Sequence, residues 1–369
     1  MSQAQPSAPA LAPPAATPEP DAADFEVAIV HGAAEVGEAA WDRLSAGRPF
    51  TSYRWYRFGE AAMAEERPLY IILSYGGEPV ARATFFLTGQ ELLPVNWEPL
   101  RRLVLAVLRR WPLMLCRSPL SSVSGLVLPD PPLRDAALRR LTAVAEAQAR
   151  RHHALFLVYD YLAEHEAQYP GWPEALRPFA FAEPGTRLDI AWPDFAHYLD
   201  HLSRKTRKSY RRNWRAAEEM SVMVCERAAV TRIDEALGLI RNVEAKYRSS
   251  PNPWTRGILE NAGMVESMWI TAEMGDRLVG CELMLRDGNA WCVMALGRDY
   301  AVPIVYFLLG YTDIRRAIES GAKALRWGSG AFDTKERLGF QPELNQYVLF
   351  TAHNRLLRGL ARLLTAIAF

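Results

Sequence analysis

The sequence predicts an α+β protein of two tandem domains, each a mixed, mostly antiparallel sheet flanked by helices. Three observations carry the prediction: β-prone runs joined by tight Gly-Asp and Asp-Gly turns, a helix-spaced apolar stripe behind them, and the same succession in the first half of the chain. Runs 268–274 and 278–285 flank Gly275-Asp276, and run 290–296 follows Asp287-Gly288-Asn289, the pattern of an antiparallel meander. Val305, Leu308, Leu309, Thr312, Ile314 and Ile318 then keep helical spacing up to Gly321. A glycine there suits the left-handed residue that ends a helix. A short strand at 324–327, the loop Gly328-Ser329-Gly330-Ala331, a short helix near 334–338 and a final strand at 346–350 complete this half.

Three strands, helix, strand, helix, strand is the element order of a GNAT acyltransferase core. The run GYTDIRRAIESGAKALRWGSGAFDTKERLGFQP resembles the C-terminal signature of the FemAB-like branch of the GNAT superfamily. The matching positions are Ala317, Ile318 and Gly321, then Gly328, then Lys335 ahead of Gly339, Phe340 and Pro342. The resemblance covers roughly residues 195–350 well and the N-terminal half weakly. It implies a tandem GNAT fold and acyl or aminoacyl transfer, and it says little about substrate.

The first half follows the same plan. Run 25–30 alternates as a strand, 36–44 and 52–63 read as helices, and 69–74 with 80–87 form a hairpin across Tyr75-Gly76-Gly77. A helix at 134–150 and a strand at 155–159 follow. The resulting domain map is an Ala/Pro-rich tail at 1–23, an N-terminal GNAT-like domain at 24–175, a C-terminal GNAT domain at 185–352 and an amphipathic helix at 353–369. An insertion at 91–112 adds a second amphipathic helix, with Leu100, Leu103, Val104, Val107 and Leu108 beside Arg101, Arg102, Arg109 and Arg110. A basic amphipathic helix either packs on its own domain, the reading favoured for both, or lies on a membrane surface or partner.

Composition bounds the rest. The formal net charge of +1 argues against a globally nucleic-acid-binding protein and leaves local basic patches open. Cys116, Cys225, Cys281 and Cys292 show no metal-ligand spacing and read as buried small groups in a reducing compartment. No basic flank precedes an apolar run at the start, and no apolar run is long enough to span a bilayer, so the expectation is a soluble, cytoplasmic protein. His152-His153 has no third ligand at suitable spacing, so no metal site is expected.

Lys335 is the sharpest catalytic candidate. The resemblance implies a lysine near the transferred acyl group, where a cation steadies the oxyanion formed as an amine attacks a carbonyl. The competing reading is a surface lysine at a helix start. Asp333 reads as that helix's cap. Glu282 breaks the apolar run VGCELML and either points to solvent by alternation or faces the cleft as a base. Tyr306 opens the helix behind the meander and is a candidate proton donor.

The donor site departs from the family pattern. CoA-dependent GNAT enzymes place a glycine-rich loop here, whose amides hold the pyrophosphate. This chain has Arg298 followed by Asp299-Tyr300-Ala301-Val302-Pro303, and proline has no amide hydrogen. That lowers the weight of acetyl-CoA and raises that of SRKTRKSYRRNWRAAEEM. There Arg204, Arg207, Lys208, Arg211 and Arg215 fall on one helical face suited to donor phosphates. Ser203 reads as the N-cap, and Tyr210 with Trp214 as the core side or a base-stacking pair.

The expected activity is therefore N-acyl transfer by direct attack, because no nucleophile–base pair suggests a covalent intermediate. The co-substrate is acyl-CoA, an acyl-carrier protein or aminoacyl-tRNA, with no bound cofactor. The acceptor is a small-molecule or lipid-linked amine. The rival reading is a non-catalytic GNAT-like scaffold that docks on an anionic membrane or a partner protein.

Overall fold

The computed structural model describes residues 21–90, 98–180 and 184–352. The expected C-terminal helix at 353–369, most of the Ala/Pro-rich tail and the first part of the insertion lie outside these residues. In the first half the elements are β1 (Glu26–Val30), α1 (Glu38–Ser45), α2 (Tyr53–Ala62), β2 (Arg67–Tyr75), β3 (Glu78–Thr88), α3 (Glu98–Arg110), β4 (Leu113–Cys116), β5 (Leu126–Val127), α4 (Leu133–Arg151), β6 (Phe156–Leu162), α5 (Glu164–Ala167) and β7 (Arg177–Ala180). Then come β8 (Thr186–Asp189), α6 (Phe195–His201), α7 (Arg204–Glu219), β9 (Val222–Arg227), α8 (Ile233–Tyr247), α9 (Thr255–Asn261), β10 (Glu266–Met274), β11 (Arg277–Asp287), β12 (Ala290–Arg298), α10 (Val305–Glu319), β13 (Ala324–Trp327), α11 (Phe332–Arg337), β14 (Gln341–Pro342) and β15 (Tyr347–Thr351).

The meander forms as its turns dictate. β10, β11 and β12 pair antiparallel across two-residue connections, with Gly275 at φ 58° and Gly288 at φ 58°. α10 ends as its sequence requires. Gly321 takes φ 69°, its N–H reaches the Ile318 carbonyl at 3.0 Å, and the Ala322 N–H reaches the Ala317 carbonyl at 3.2 Å. That pair of bonds satisfies carbonyls a helix end otherwise leaves open.

Two sheets result, ordered β1-β2-β3-β4-β6-β15-β7 and β14-β8-β13-β12-β11-β10-β9, with β5 added beside β3. Each contains one parallel pair, β4 with β6 and β12 with β13. One strand crosses between the halves. β8 stays with its own half, pairing with β13 and β14 in the second sheet, whereas β15 pairs with β6 and β7 in the first. The final strand expected to close the C-terminal domain therefore belongs to the other sheet, so the division at 24–175 and 185–352 does not separate the two sheets. A short β-prone apolar run marks β15 as a strand, but nothing in its own residues names its neighbours.

The halves also share a core. Trp41, Trp55, Tyr56 and Phe58 from the first cluster with Ile240, Ile258, Trp269 and Leu283 from the second. Asp287 accepts hydrogen bonds from the Thr51 and Ser52 amides at 3.0 and 3.2 Å. On the opposite face of the second sheet, α10 packs against β10 and β11, with α6 and α7 over it. The approach is close: a Cβ on Gly310 would lie 2.4 Å from the Trp327 ring. Gly310→Ala is accordingly expected to destabilise the fold by about 1–3 kcal/mol through overpacking, read as a lower denaturant midpoint with unchanged slope. A midpoint equal to wild type would show that the helix shifts freely.

In the insertion, Leu108 is buried while Leu100 and Leu103 are 40 % and 62 % exposed, so only one end of the apolar stripe on α3 packs against described residues. The four cysteines are free; Cys281 stands opposite Gly297 and Cys292 opposite Leu285. No helix among the described residues is long and apolar enough to cross a membrane.

Candidate active site

The site is a gap in the second sheet. β12 pairs with β13 only from Ala290–Ala324 to Val293–Trp327, yet β12 continues to Arg298. Beyond Trp327 the chain leaves through Gly328-Ser329-Gly330-Ala331, with Gly330 at φ 83° and Ala331 at φ 50°. Left-handed backbone at a non-glycine residue stores strain and frequently marks a functional loop. A bulge at Met294 of β12, opposite β11, adds a local bend. α10 starts beside the gap on one face, and a cavity between the two halves lies on the other.

Glu282 lies on β11 opposite Ile270 and Leu296 and is fully buried beneath α10, so solvent exposure is the reading the structure discards. It meets Asp313 of α10, also fully buried. As carboxylates, their four oxygens would lack a well-aligned hydrogen bond among the described residues, the Trp327 indole being the donor beside Glu282. One shared proton resolves this, because two adjacent buried carboxylates cannot both ionise. Burial pushes Glu282 up to about 7, with Asp313 and the charge of Lys335 pulling the other way. Burial raises Asp313 further, and the Glu282 charge adds to it, so Asp313 is the proton holder.

Lys335, 4 % exposed, is not the surface lysine of the competing reading. Its Nζ donates to the carbonyls of Trp327 (2.9 Å), Gly328 (2.5 Å) and Ser329 (3.3 Å). Three N–H bonds are all an ammonium has. In this arrangement none remains for an oxyanion; the lysine instead holds the loop at the edge of the gap. Burial lowers it to about 8, while the Glu282 and Glu343 charges oppose the shift. Asp333 does not cap the helix: the N-cap is Ala331, without a side-chain bond, and Asp333 sits in the first turn.

Tyr306 stacks on Trp327 at 5.8 Å and 13° between planes. Burial, then the Glu282 charge, raises its hydroxyl well above the ordinary range, so it stays protonated. The Arg298 guanidinium lies 4.3 Å from the Tyr300 ring centre and 5.1 Å from that of Tyr306. In the loop between them and α10, Asp299 takes the place of an anion. Its Oδ1 accepts from the Ala301 N–H at 2.8 Å, and its backbone oxygen from the Val302 N–H at 3.2 Å. Amides that would face a pyrophosphate in a glycine-rich loop are taken internally, and the Asp299 carboxylate is itself paired with Arg277 at 3.1 Å.

Ser203 caps α7 as expected, its hydroxyl accepting from the Thr206 N–H. Arg204, Lys208, Arg211 and Arg215 are exposed, and no acidic partner pairs with them among the described residues. Arg207 departs from this face and donates to the carbonyls of Asp200 (2.7 Å) and Leu202 (2.8 Å), closing the end of α6. Tyr210 and Trp214 face inward, Tyr210 edge-on to Tyr311 at 4.8 Å, so they form the core side of the helix and do not present a stacking surface. No cluster of metal-ligating side chains exists among the described residues.

The profile of the acetyltransferase (GNAT) domain family matches residues 204–336, from the start of α7 to α11. Residues 204–336 thus resemble the acetyltransferase (GNAT) domain. Solved structures share the architecture of nearly the whole chain. FemX is 10% identical with a TM-score of 0.57, covering 90% of this chain and 99% of its own. A tandem GNAT protein from the clavulanic acid biosynthesis pathway is 13% identical with a TM-score of 0.54, covering 89% and 99%. The C-terminal domain of a putative lysylphosphatidylglycerol synthetase from Agrobacterium fabrum is 10% identical with a TM-score of 0.50, covering 90% and 96%. No curated protein matches the sequence. The stretch that matches the GNAT model thus lies in a fold shared with FemX and a tandem GNAT protein, the fold that the signature around Lys335 implied.

Asp313 and Asp299 were missed from sequence. A signal for Asp313 existed: with Leu309 and Ala317 it forms an i, i+4 row on the buried stripe of α10, where an aspartate needs a reason.

Proposed function

We propose that the chain is an N-acyltransferase that moves an aminoacyl group from aminoacyl-tRNA onto an amine by direct attack. The observation that carries the reading is the gap between β12 and β13. It joins the face where α10 starts to the cavity between the halves, so donor and acceptor approach one point from opposite faces of the sheet. The amine attacks the ester carbonyl, the new C–N bond forms and the ester C–O bond breaks. Glu282 takes the proton released by the attacking nitrogen, with Asp313 keeping its own. Tyr306 protonates the departing oxygen. Lys335 positions the loop that borders the gap.

Two features favour a polyanionic donor over CoA. Asp299 occupies the loop that a pyrophosphate would need, and α7 offers an exposed row of cations. The solved relative named for lysylphosphatidylglycerol synthesis fits transfer of an aminoacyl group by its name.

Calorimetric titration of charged tRNA and of acetyl-CoA into the full chain tests this. Charged tRNA is expected to bind, and an interface with about five phosphate contacts loses several hundred-fold in affinity between about 50 and about 200 mM salt. Saturable acetyl-CoA binding with tRNA silent would overturn the donor assignment. Silence from both, with binding to anionic vesicles, would favour the scaffold reading.

A further inference from the structure

The cavity between the halves measures about 350 Å³, at the lower end of the ~300–1,000 Å³ found for small-molecule sites. Most of its wall is apolar and comes from both halves, Phe50, Phe86 and Leu115 from the first and Trp254, Ile258 and Met294 from the second, with Thr88, Ser122 and Asn252 as polar points. Phe50 and Ile258 belong to the shared core, and the Trp254 indole is steadied by a 3.3 Å bond from its Nε1 to Glu66. The walls are therefore rigid. Gly328 and Val293 line the end nearest the gap, so the cavity reaches the point where the two strands part.

Its charges are closed on themselves. Arg117 pairs with Asp160 at 2.8 Å, and Arg326 pairs with Glu343 through two nitrogens while donating to the Ser122 carbonyl at 2.8 Å. Each guanidinium has a carboxylate against it and each carboxylate a guanidinium, so an entering phosphate or cation meets wall charges that are already neutralised. Bringing a phosphate or a sugar nucleotide into such walls strips its hydration with no uncompensated cation to offset the cost. An amine enters more readily in its neutral form, because burial disfavours the ammonium. The neutral form is also the nucleophile.

We propose that this cavity takes the acceptor, an amine carried on an uncharged apolar body of arylalkyl or alkyl type, with the nitrogen at the Gly328 end. The inference deepens the transfer reading and rests on it. Its test needs no donor, so the two fail separately. Phenethylamine and phosphoethanolamine are titrated calorimetrically into the full chain, and phenethylamine is expected to bind about tenfold or more tightly, the discrimination that ~1.4 kcal/mol provides. Comparable binding of the two, or no phenethylamine binding, overturns the proposal.

Ser121→Trp supplies the placement. Ser121 lies on a loop bordering the cavity and is only half-buried, so an indole there fills the space with little demand on the core. The variant is expected to lose about tenfold or more in phenethylamine affinity at an unchanged melting temperature. Wild-type affinity in the folded variant would put the amine elsewhere and overturn the assignment. Should the variant not fold, the comparison of the two ligands on the wild-type chain still decides. Selective amine binding with no transfer from any donor would support this cavity and sink the transfer reading.

Discussion

Glu282→Gln is expected to lower turnover at neutral pH by about 10²–10⁴-fold, the usual contribution of a general base, and to make the protein more stable at the same time. The stability sign follows from the raised carboxyl. An unfolded glutamate ionises near ~4.3, whereas buried Glu282 holds its proton up to about 7. Between those values the folded chain retains a proton that the unfolded chain releases, so stability falls as pH rises through the interval. Glutamine removes that dependence. Melting curves should separate wild type and variant little near pH ~4 and increasingly up to pH ~7, beyond which the difference is constant. Asp313→Ala should move the ascending limb of the rate profile to higher pH, because the carboxylate loses the donor that favours its charged form. Unchanged turnover in Glu282→Gln would remove Glu282 from the chemistry and leave the pair as a structural feature.

Deleting residues 346–369 is expected to abolish cooperative unfolding of the first half, although the deletion lies at the far end of the chain. It removes β15, whose Leu349 is fully buried in the first core and whose backbone bridges β6 and β7. Both neighbours lose their ladder at once, and unpaired buried backbone is costly. Deleting only 353–369 serves as the control. A Leu349→Asp substitution in the full chain places an unpaired charge in the same position and should destabilise by about 3–5 kcal/mol. A sharp, wild-type transition after loss of 346–369 would mean the first sheet closes without its borrowed strand.

Local chemistry was legible where it is self-contained. Gly275, Gly288 and Gly321 stand where a turn or helix end demands a left-handed residue, and their segments fold as those residues require. Ser203 announces α7 by the same logic. What escaped depends on partners far away in sequence. The neighbours of β15 are set by the other half, and the burial of Glu282 is set by α10 packing over its face of the sheet. Lys335 was singled out for its position, but the direction of its Nζ depends on the carbonyls the strained loop turns inward. Arg207 shows the same limit. Helical spacing put it on the basic face, whereas the open end of α6 turns it back.

The placement of β15 in the first sheet also sets an order of events during synthesis. A ribosome releases β6, with its apolar run Phe156–Leu162, long before it releases the strand that covers that edge. Until then the nascent first sheet carries an open, apolar border of the kind that invites pairing with another chain. The second half meets no such delay, since β8 emerges ahead of β13. The N-terminal half, though made first, is thus completed only after the second half has been synthesised through β15.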